Sequence, residues 1–264
     1  MSKIRFERVS KSFPDRQTRA GADAVVALSN IDLEVRAGEF MVLVGPSGCG
    51  KSTLLDLLSG LSEPSSGAIV IDGKPVTGPG PDRGIVFQHY ALFPWRTALG
   101  NVEFGLEAVG LPRVQRTERA RHYLNLVGLS GFEHRYPHQL SGEMKQRVAI
   151  ARSLSYDPDI LLMDEPFAAL DAQTRETLQD ELVRIWEKTE KTILFITHAI
   201  DEAVYLGQRV AVMSTRPGRI VDLVDIPLGS RRQEDDLRSD PEFVQLRHQI
   251  WMLLREQVDA GPRH

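Results

Sequence analysis

Residues 45–52 read GPSGCGKS. Gly45, Gly50, Lys51 and Ser52 fill every fixed position of the phosphate-binding pattern G-x-x-x-x-G-K-[ST]. The flanks supply the context that this pattern needs. MVLV (41–44) is a short apolar run that reads as a buried strand, and STLLDLLSGL (52–61) carries Leu54, Leu57, Leu58 and Leu61 at helical spacing. Glycines let the backbone turn tightly and approach an anion with no side chain between. The loop of Pro46, Ser47, Gly48 and Cys49, with the helix start at Lys51, Ser52 and Thr53, then turns its free N–H groups inward as donors. The Lys51 ammonium is placed to reach the outer phosphates of a nucleotide triphosphate, and the Ser52 hydroxyl to ligate magnesium. The bland alternative is a glycine-rich turn before an ordinary buried helix, which leaves the lysine and serine unexplained.

Downstream, ILLMDEP (160–166) ends an apolar run on two adjacent carboxylates. Successive side chains of a strand point to opposite faces, so Asp164 and Glu165 are expected to do different work. Asp164 suits a magnesium ion and Glu165 a general base for water. His198 closes the apolar run TILFIT, and Gln88 closes GIVFQ in the same manner. Strand C-termini in open α/β sheets are where ligands bind, so both are candidates for the phosphate end of the site. Each alone reads equally well as a structural polar group at an element end.

The rest of the chain sets bounds. At 264 residues it holds one large or two small domains. A net charge of −4 gives no support to a nucleic-acid-coating role. No apolar run reaches membrane-spanning length, and MSKIRFERVSKSF lacks the apolar core of a signal peptide, so a cytosolic chain is expected. The single cysteine, Cys49, rules out an internal disulfide and a cysteine zinc site.

Alternation predicts strands over 3–10, where KIRFERVS reads as an edge strand, and over ALSNIDLEV (27–35). GAIVIDGKPV (67–76) predicts a hairpin turning at Asp72-Gly73. Residues 14–24 and 229–240 read as polar loops. Arginine-rich helical periodicity from about 90 to 155 predicts a helical subdomain. QTRETLQDELVRIWEKTE (173–190) predicts an amphipathic helix with Leu178, Leu182, Ile185 and Trp186 on one face. QRVAVMSTRPGRIVDLVDIP (208–227) predicts two strands around the turn at 216–219. The last segment places Phe243, Leu246, Ile250, Leu253 and Leu254 on one helical face, as a helix packed on its own domain would, or alternatively one that makes a dimer or regulatory contact.

These pieces in this order resemble the nucleotide-binding subunit of ATP-binding cassette (ABC) transporters. The segment LSGEMKQRVAIARSL (140–154) matches the family's signature and separates it from other phosphate-loop enzymes. The resemblance covers residues 3–228. It implies an α/β fold, with a phosphate-loop NTPase core, an antiparallel β subdomain and a helical subdomain, followed by a charged linker and amphipathic helix over 229–264. It implies ATP and Mg2+ as ligands. Phe13 is then the ring that stacks on adenine, Gln88 the Q-loop residue, AALD (168–171) with Asp171 the D-loop, and His198 the switch histidine. Ser141, Gly142 and Glu143 stand at the signature that completes a second subunit's ATP site.

The implied activity is an ATPase, bound peripherally to the cytoplasmic face of the inner membrane. Its implied partners are a second ATPase subunit, taken as another copy of this chain, transmembrane permease subunits and, indirectly, an extracytoplasmic solute-binding protein. No nucleic-acid partner is implied. GPGPDRGIVFQHYALFPWRTALGNVEFGL and STRPGRIVDLVDIPL resemble the nitrate, sulfonate and taurine importers in particular. In that family the loop carrying Tyr90, Phe93 and Trp95 faces the permease.

One residue departs from the pattern. Glu143 stands where the signature usually carries its second glycine. A carboxylate roughly 4 Å from a phosphate, at an effective dielectric near 20, is repelled by about 4 kcal/mol. Either Lys145 or Arg147 offsets this charge, or closure of the ATP dimer is weakened, or the site pairs with an intact signature on a different subunit. A soluble ABC-type ATPase acting on DNA or ribosomes is the competing reading, but the chain carries no sustained heptad for the coiled coil of the repair proteins. A phosphate-loop kinase leaves LSGEMKQR unexplained.

Overall fold

The computed structural model describes residues 2–14, 24–229 and 237–259. Most of the loops expected over 14–24 and 229–240 lie outside the described residues. In chain order the elements are β1 (Ser2–Pro14), β2 (Ala24–Arg36), β3 (Phe40–Val44), α1 (Lys51–Ser59), β4 (Ser66–Ile71), β5 (Lys74–Pro75), β6 (Arg83–Val86), α2 (Ala98–Ala108), α3 (Arg113–Leu126), α4 (Gly142–Ser155), β7 (Ile160–Asp164), α5 (Ala172–Thr189), β8 (Thr192–Thr197), α6 (Ile200–Leu206), β9 (Arg209–Met213), β10 (Ile220–Asp225) and α7 (Pro241–Asp259). They fall into two compact units, Met1–Pro79 with Thr192–His264, and Gly80–Lys191.

In the first unit, β3 lies between the parallel strands β8 and β9, and β10 pairs antiparallel outside β9. Every residue of β3, β8 and β9 is buried. Covered parallel strands read as unbroken apolar runs, which is why FMVLV, TILFIT and RVAVM lack alternation. Phe40 and Phe195 meet across β3 and β8 with ring centroids 6.0 Å apart. A second, antiparallel sheet runs in the order β2-β1-β4-β5. Here β1 is not the edge strand that its alternation suggests. Ile4 pairs with Val35 on one side and Ile71 on the other. Alternation reports that one face is buried. It is silent on how many neighbours a strand has, and the hairpin turning at Asp72-Gly73 brings β4 onto the open side.

Helix α1 buries Leu54, Leu55, Leu57 and Leu58. Four leucines contribute on the order of 1.5–3 kcal/mol each, far more than the fraction of a kcal/mol a glycine junction costs. Gly60 (φ 80) ends the helix in the left-handed region, so Leu61 falls beyond it and is exposed. At the other end of the chain α7 packs on α6, β9 and β10. Phe243 and Ile250 are fully buried, and Leu246, Leu253 and Leu254 are half-buried, as their common face predicts.

The second unit pairs β6 and β7 in parallel and packs α2, α3 and α4 against one another. Leu178, Leu182 and Ile185 of α5 are buried, and Trp186 is half-buried.

Candidate functional site

Within the first unit, Val44 and Thr197 are paired, and each ends its strand. Gly45 and His198 therefore leave the sheet side by side at the C-terminal edge of β3 and β8. A side chain on Gly45 would place Cβ 2.8 Å from Cys49 Sγ and 3.0 Å from Met213 Cβ, and one on Gly50 would meet Leu28 Cδ2 at 2.7 Å. Gly48 (φ 75) and Gly50 (φ 101) hold left-handed conformations that turn the loop into α1. Pro46 and Cys49 close the turn, the Cys49 N–H donating to the Pro46 carbonyl (3.3 Å). Ser47 and Ser52 are exposed, and Thr53 is half-buried.

Lys51 is only 6% exposed, and its ammonium donates to the carbonyls of Gly45 (2.8 Å) and Pro46 (3.1 Å) and lies 3.8 Å from Cys49 Sγ. Among the described residues it has no carboxylate partner. A buried cation met by backbone carbonyls and a thiol but by no carboxylate, in a loop too tight at Gly45 and Gly50 for side chains, is chemistry that a polyphosphate fits. Burial pushes the Cys49 thiol up, against the pull of the Lys51 charge.

The loop has a floor. The Gly218 N–H donates to the Ala27 carbonyl (2.9 Å), and the Gly218 carbonyl accepts from the Ser29 N–H (3.0 Å). Ser214 Oγ donates to the Pro217 carbonyl (3.0 Å) and accepts from the Arg219 N–H (3.0 Å). A Cβ on Gly218 would stand 2.0 Å from the Cys49 carbonyl oxygen. From sequence Gly218 is only a turn residue, and no local signal shows that the turn bears on the phosphate loop.

Phe13, next to last in β1, pairs with Val25, is 41% exposed, and has Lys11 Nζ 5.3 Å from its ring centroid. His198 is exposed and lines a cleft of about 540 Å³ with Ile200, Asp201, Arg247, His248 and Trp251. Beneath it Thr197 Oγ1 donates to buried Glu202 (2.6 Å) and accepts from the Ala199 N–H (3.0 Å), which fixes the strand end.

Within the second unit, Val86 pairs with Met163. Gln88 and the pair Asp164-Glu165 thus leave β6 and β7 at one edge. Asp164 is the last strand residue, while Glu165 has φ 43. Glu165 therefore lies beyond the strand, in a left-handed turn, so strand pleating does not govern its side chain. A non-glycine residue held there is strained, a feature concentrated at functional sites. The following turn, closed by the Ala168 N–H on the Glu165 carbonyl (3.1 Å), delivers Asp171 as the N-cap of α5. Its Oδ1 accepts from the Thr174 N–H (3.0 Å), which holds the exposed carboxyl below its ordinary pKa.

Ser141 caps α4 by accepting from the Met144 N–H (3.2 Å), and Ser141 and Gly142 are exposed. Glu143 is paired with Arg147 at 2.8 Å. The same guanidinium donates to Glu181 (2.5 Å) and the Val127 carbonyl (2.8 Å). Of the two residues that could offset Glu143, the structure selects Arg147. Burial pushes Glu181 up, Arg147 opposes this, and Glu143 adds to it.

In the loop after Gln88, Trp95 is 71% exposed, and Phe93 stands 5.5 Å from Trp95 and 4.6 Å from Phe104 between ring centroids. Buried Asn101 pins the loop, donating to the carbonyls of Phe93, Arg96 and Thr97 at 3.0–3.2 Å.

The sequence profile of the family described as ABC transporter matches residues 28–168. An uncharacterized ABC transporter ATP-binding protein of Methanocaldococcus jannaschii is 53% identical over 256 residues, 97% of this chain and 92% of its own. A nitrate import ATP-binding protein of Synechocystis sp. is 51% identical, covering 88% of this chain and 89% of its own. A taurine import ATP-binding protein of Yersinia pestis is 48% identical, covering 85% and 89%. Among solved structures, a dimeric ATP-binding cassette in a post-hydrolysis state bound to ADP and Pi matches with a TM-score of 0.73 at 33% identity, covering 84% of this chain and 98% of that one. The fold and the motifs define an ATP-binding cassette ATPase. The chain belongs to the ABC transporter family.

Proposed function

We propose that this chain is the energy-coupling subunit of a membrane importer for a small anion or organic solute of the nitrate, sulfonate or taurine kind. The observation that carries the nucleotide part is the buried Lys51 ammonium, held by two backbone carbonyls and the Cys49 sulfur with no carboxylate partner among the described residues, in a loop too tight at Gly45 and Gly50 for side chains. The importer part is supported by relatives named for nitrate and taurine import.

Gly45 to Thr53 hold the phosphates of ATP, and Phe13 stacks on its adenine. Ser52, Gln88 and Asp164 are the residues to hold Mg2+. One carboxylate with neutral oxygens suits an ion that keeps waters and phosphate ligands. Among the described residues no cluster of three His, Cys, Asp or Glu forms a metal cage. When bound, the ion neutralises charge on the outer phosphates. Glu165 accepts a proton from the attacking water, and His198 hydrogen-bonds the γ-phosphate or that water. Ser141, Gly142 and Glu143, with Asp171, close on the nucleotide of a second ATPase subunit, another copy of this chain. Trp95 and Phe93 present the apolar patch that meets the permease, whose external solute-binding protein selects cargo. No helix among the described residues is long and apolar enough to cross a membrane, so attachment to the cytoplasmic face runs through the permease.

The test is to isolate the tagged chain from its native membranes and identify its partners by mass spectrometry. A multi-span permease is the expected partner, and ribosomes or DNA-repair factors would overturn the importer reading. In parallel, Glu165→Gln is expected to slow hydrolysis by about 10²–10⁴-fold while ATP still binds. Hydrolysis at the parental rate removes Glu165 as the base.

A further inference from the structure

The segment that carries Gln88 is held by one helix. From the last turn of α4 and its C-cap residue Tyr156, three side chains grip backbone carbonyls of β6 and the loop beyond it. Tyr156 Oη donates to Arg83 O (3.2 Å), Ser153 Oγ to Ile85 O (2.8 Å), and the Arg152 guanidinium to both Tyr90 O (3.0 Å) and Ala91 O (2.6 Å). The last two bonds fall on a strained pair. Tyr90 (φ 51) and Ala91 (φ 47) are consecutive non-glycine residues in the left-handed region, two and three positions after Gln88. L-residues enter that region singly and at a cost, so a pair persists only where its surroundings over-determine it. Arg152 supplies that restraint with a half-buried guanidinium directed at two carbonyl oxygens rather than at a carboxylate.

At the other end of the same helix, Tyr90 Oη lies 3.2 Å from where a Cβ on Gly142 would stand. Tyr90 is therefore held by its carbonyl at the C-terminal end of α4, with its hydroxyl beside the helix's N-terminal signature residue. We propose that Arg152 is a positioning residue for Gln88: by locking Tyr90 and Ala91 left-handed it fixes the loop that presents the Gln88 amide and ties that loop to α4. This rests on the role assigned to Gln88 above.

The test compares the parent, Gln88→Ala, Arg152→Lys, Arg152→Met and the double variant Arg152→Met/Ala91→Gly in the full-length chain. ATP turnover is read with amide hydrogen exchange. Arg152→Met is expected to lower kcat at least tenfold with KM for ATP within twofold, because the phosphate loop is untouched. It is also expected to speed exchange at residues 89–92 at least tenfold while α4 stays protected. Arg152→Lys, a single point donor in place of the fork, falls between. Glycine at 91 removes the left-handed penalty, so the double variant is expected to recover at least half of the lost turnover on a logarithmic scale. A purely structural role for Arg152 predicts loss of α4 protection and no rescue, and either result overturns the proposal. So does unchanged exchange at 89–92. If Gln88→Ala turns over at the parental rate, the role of Gln88 falls, and the exchange data still decide whether Arg152 holds the loop. If Arg152→Met fails to fold, the exchange and kcat-against-KM pattern of Arg152→Lys decides the question.

Discussion

Gly218→Ala puts the floor of the phosphate loop to a direct test. The added Cβ would stand 2.0 Å from the Cys49 carbonyl oxygen, with Met213 Cε at 3.0 Å and Leu28 Cδ2 at 3.1 Å. The shortest comfortable carbon–oxygen approach is about 3.3 Å, so roughly 1.3 Å must be found. Gly218 itself is anchored on both sides, to Ala27 and Ser29, and its turn is closed by Ser214. The Cys49 N–H makes only a 3.3 Å bond to Pro46. The loop is therefore the part that yields. Overpacking of this kind costs about 1–3 kcal/mol, and at about 1.4 kcal/mol per tenfold the dissociation constant for ATP rises by roughly 5–150-fold. Titration of the variant with a fluorescent ATP analogue reads the affinity, and denaturant unfolding without nucleotide reads the stability, which is expected to fall by less than about 1 kcal/mol because the loop shifts to relieve the strain when no nucleotide holds it. Gly78→Ala, where a Cβ meets nothing within 4 Å, is the control and should bind as the parent does. An affinity for the Gly218 variant within twofold of the parent refutes the reasoning.

Glu143→Gly is expected to raise ATP turnover by about two- to tenfold, since Arg147 already offsets most of the roughly 4 kcal/mol of bare repulsion. No gain removes Glu143 as a penalty, and a thousandfold gain would show that Arg147 does not shield it. Glu39→Gln strands the buried Arg209 guanidinium, which donates to Glu39 and to the Glu34 carbonyl. A loss of about 3–5 kcal/mol is expected in denaturant unfolding, and a loss under about 1 kcal/mol would show that the pair is not needed. Cys49 is buried with its thiol pKa raised, so iodoacetamide should label it more slowly than free cysteine at neutral pH, faster as pH rises through the raised value, and more slowly with ATP present. The sign for stability is the same: the contribution is whole below the ordinary thiol pKa and is lost as pH rises through the folded one. Labelling at the free-cysteine rate at neutral pH would contradict the burial.

The spacing of GPSGCGKS between an apolar run and a leucine-spaced helix was enough to define strand, loop and helix, because periodicity and glycine conformation act locally. The apolar runs of β3, β8 and β9 announced strands for the same reason, and the apolar face of α7 announced a helix that packs on its own unit. Other matters were settled only by the folded structure. Whether β1 has one neighbour or two depended on where the 67–76 hairpin docks. Which basic residue answers Glu143 depended on the helical register that puts Arg147 one turn away and on Glu181, which shares it. That Glu165 sits in a left-handed turn just past the strand is something strand pleating does not anticipate. That Gly218 lies under Cys49, and that Arg152 holds the carbonyls after Gln88, depended on chain segments meeting only after folding. Hydrophobic period, cap chemistry and turn residues are written in neighbouring letters, whereas steric contact and charge sharing belong to pairs whose separation along the chain carries no signal.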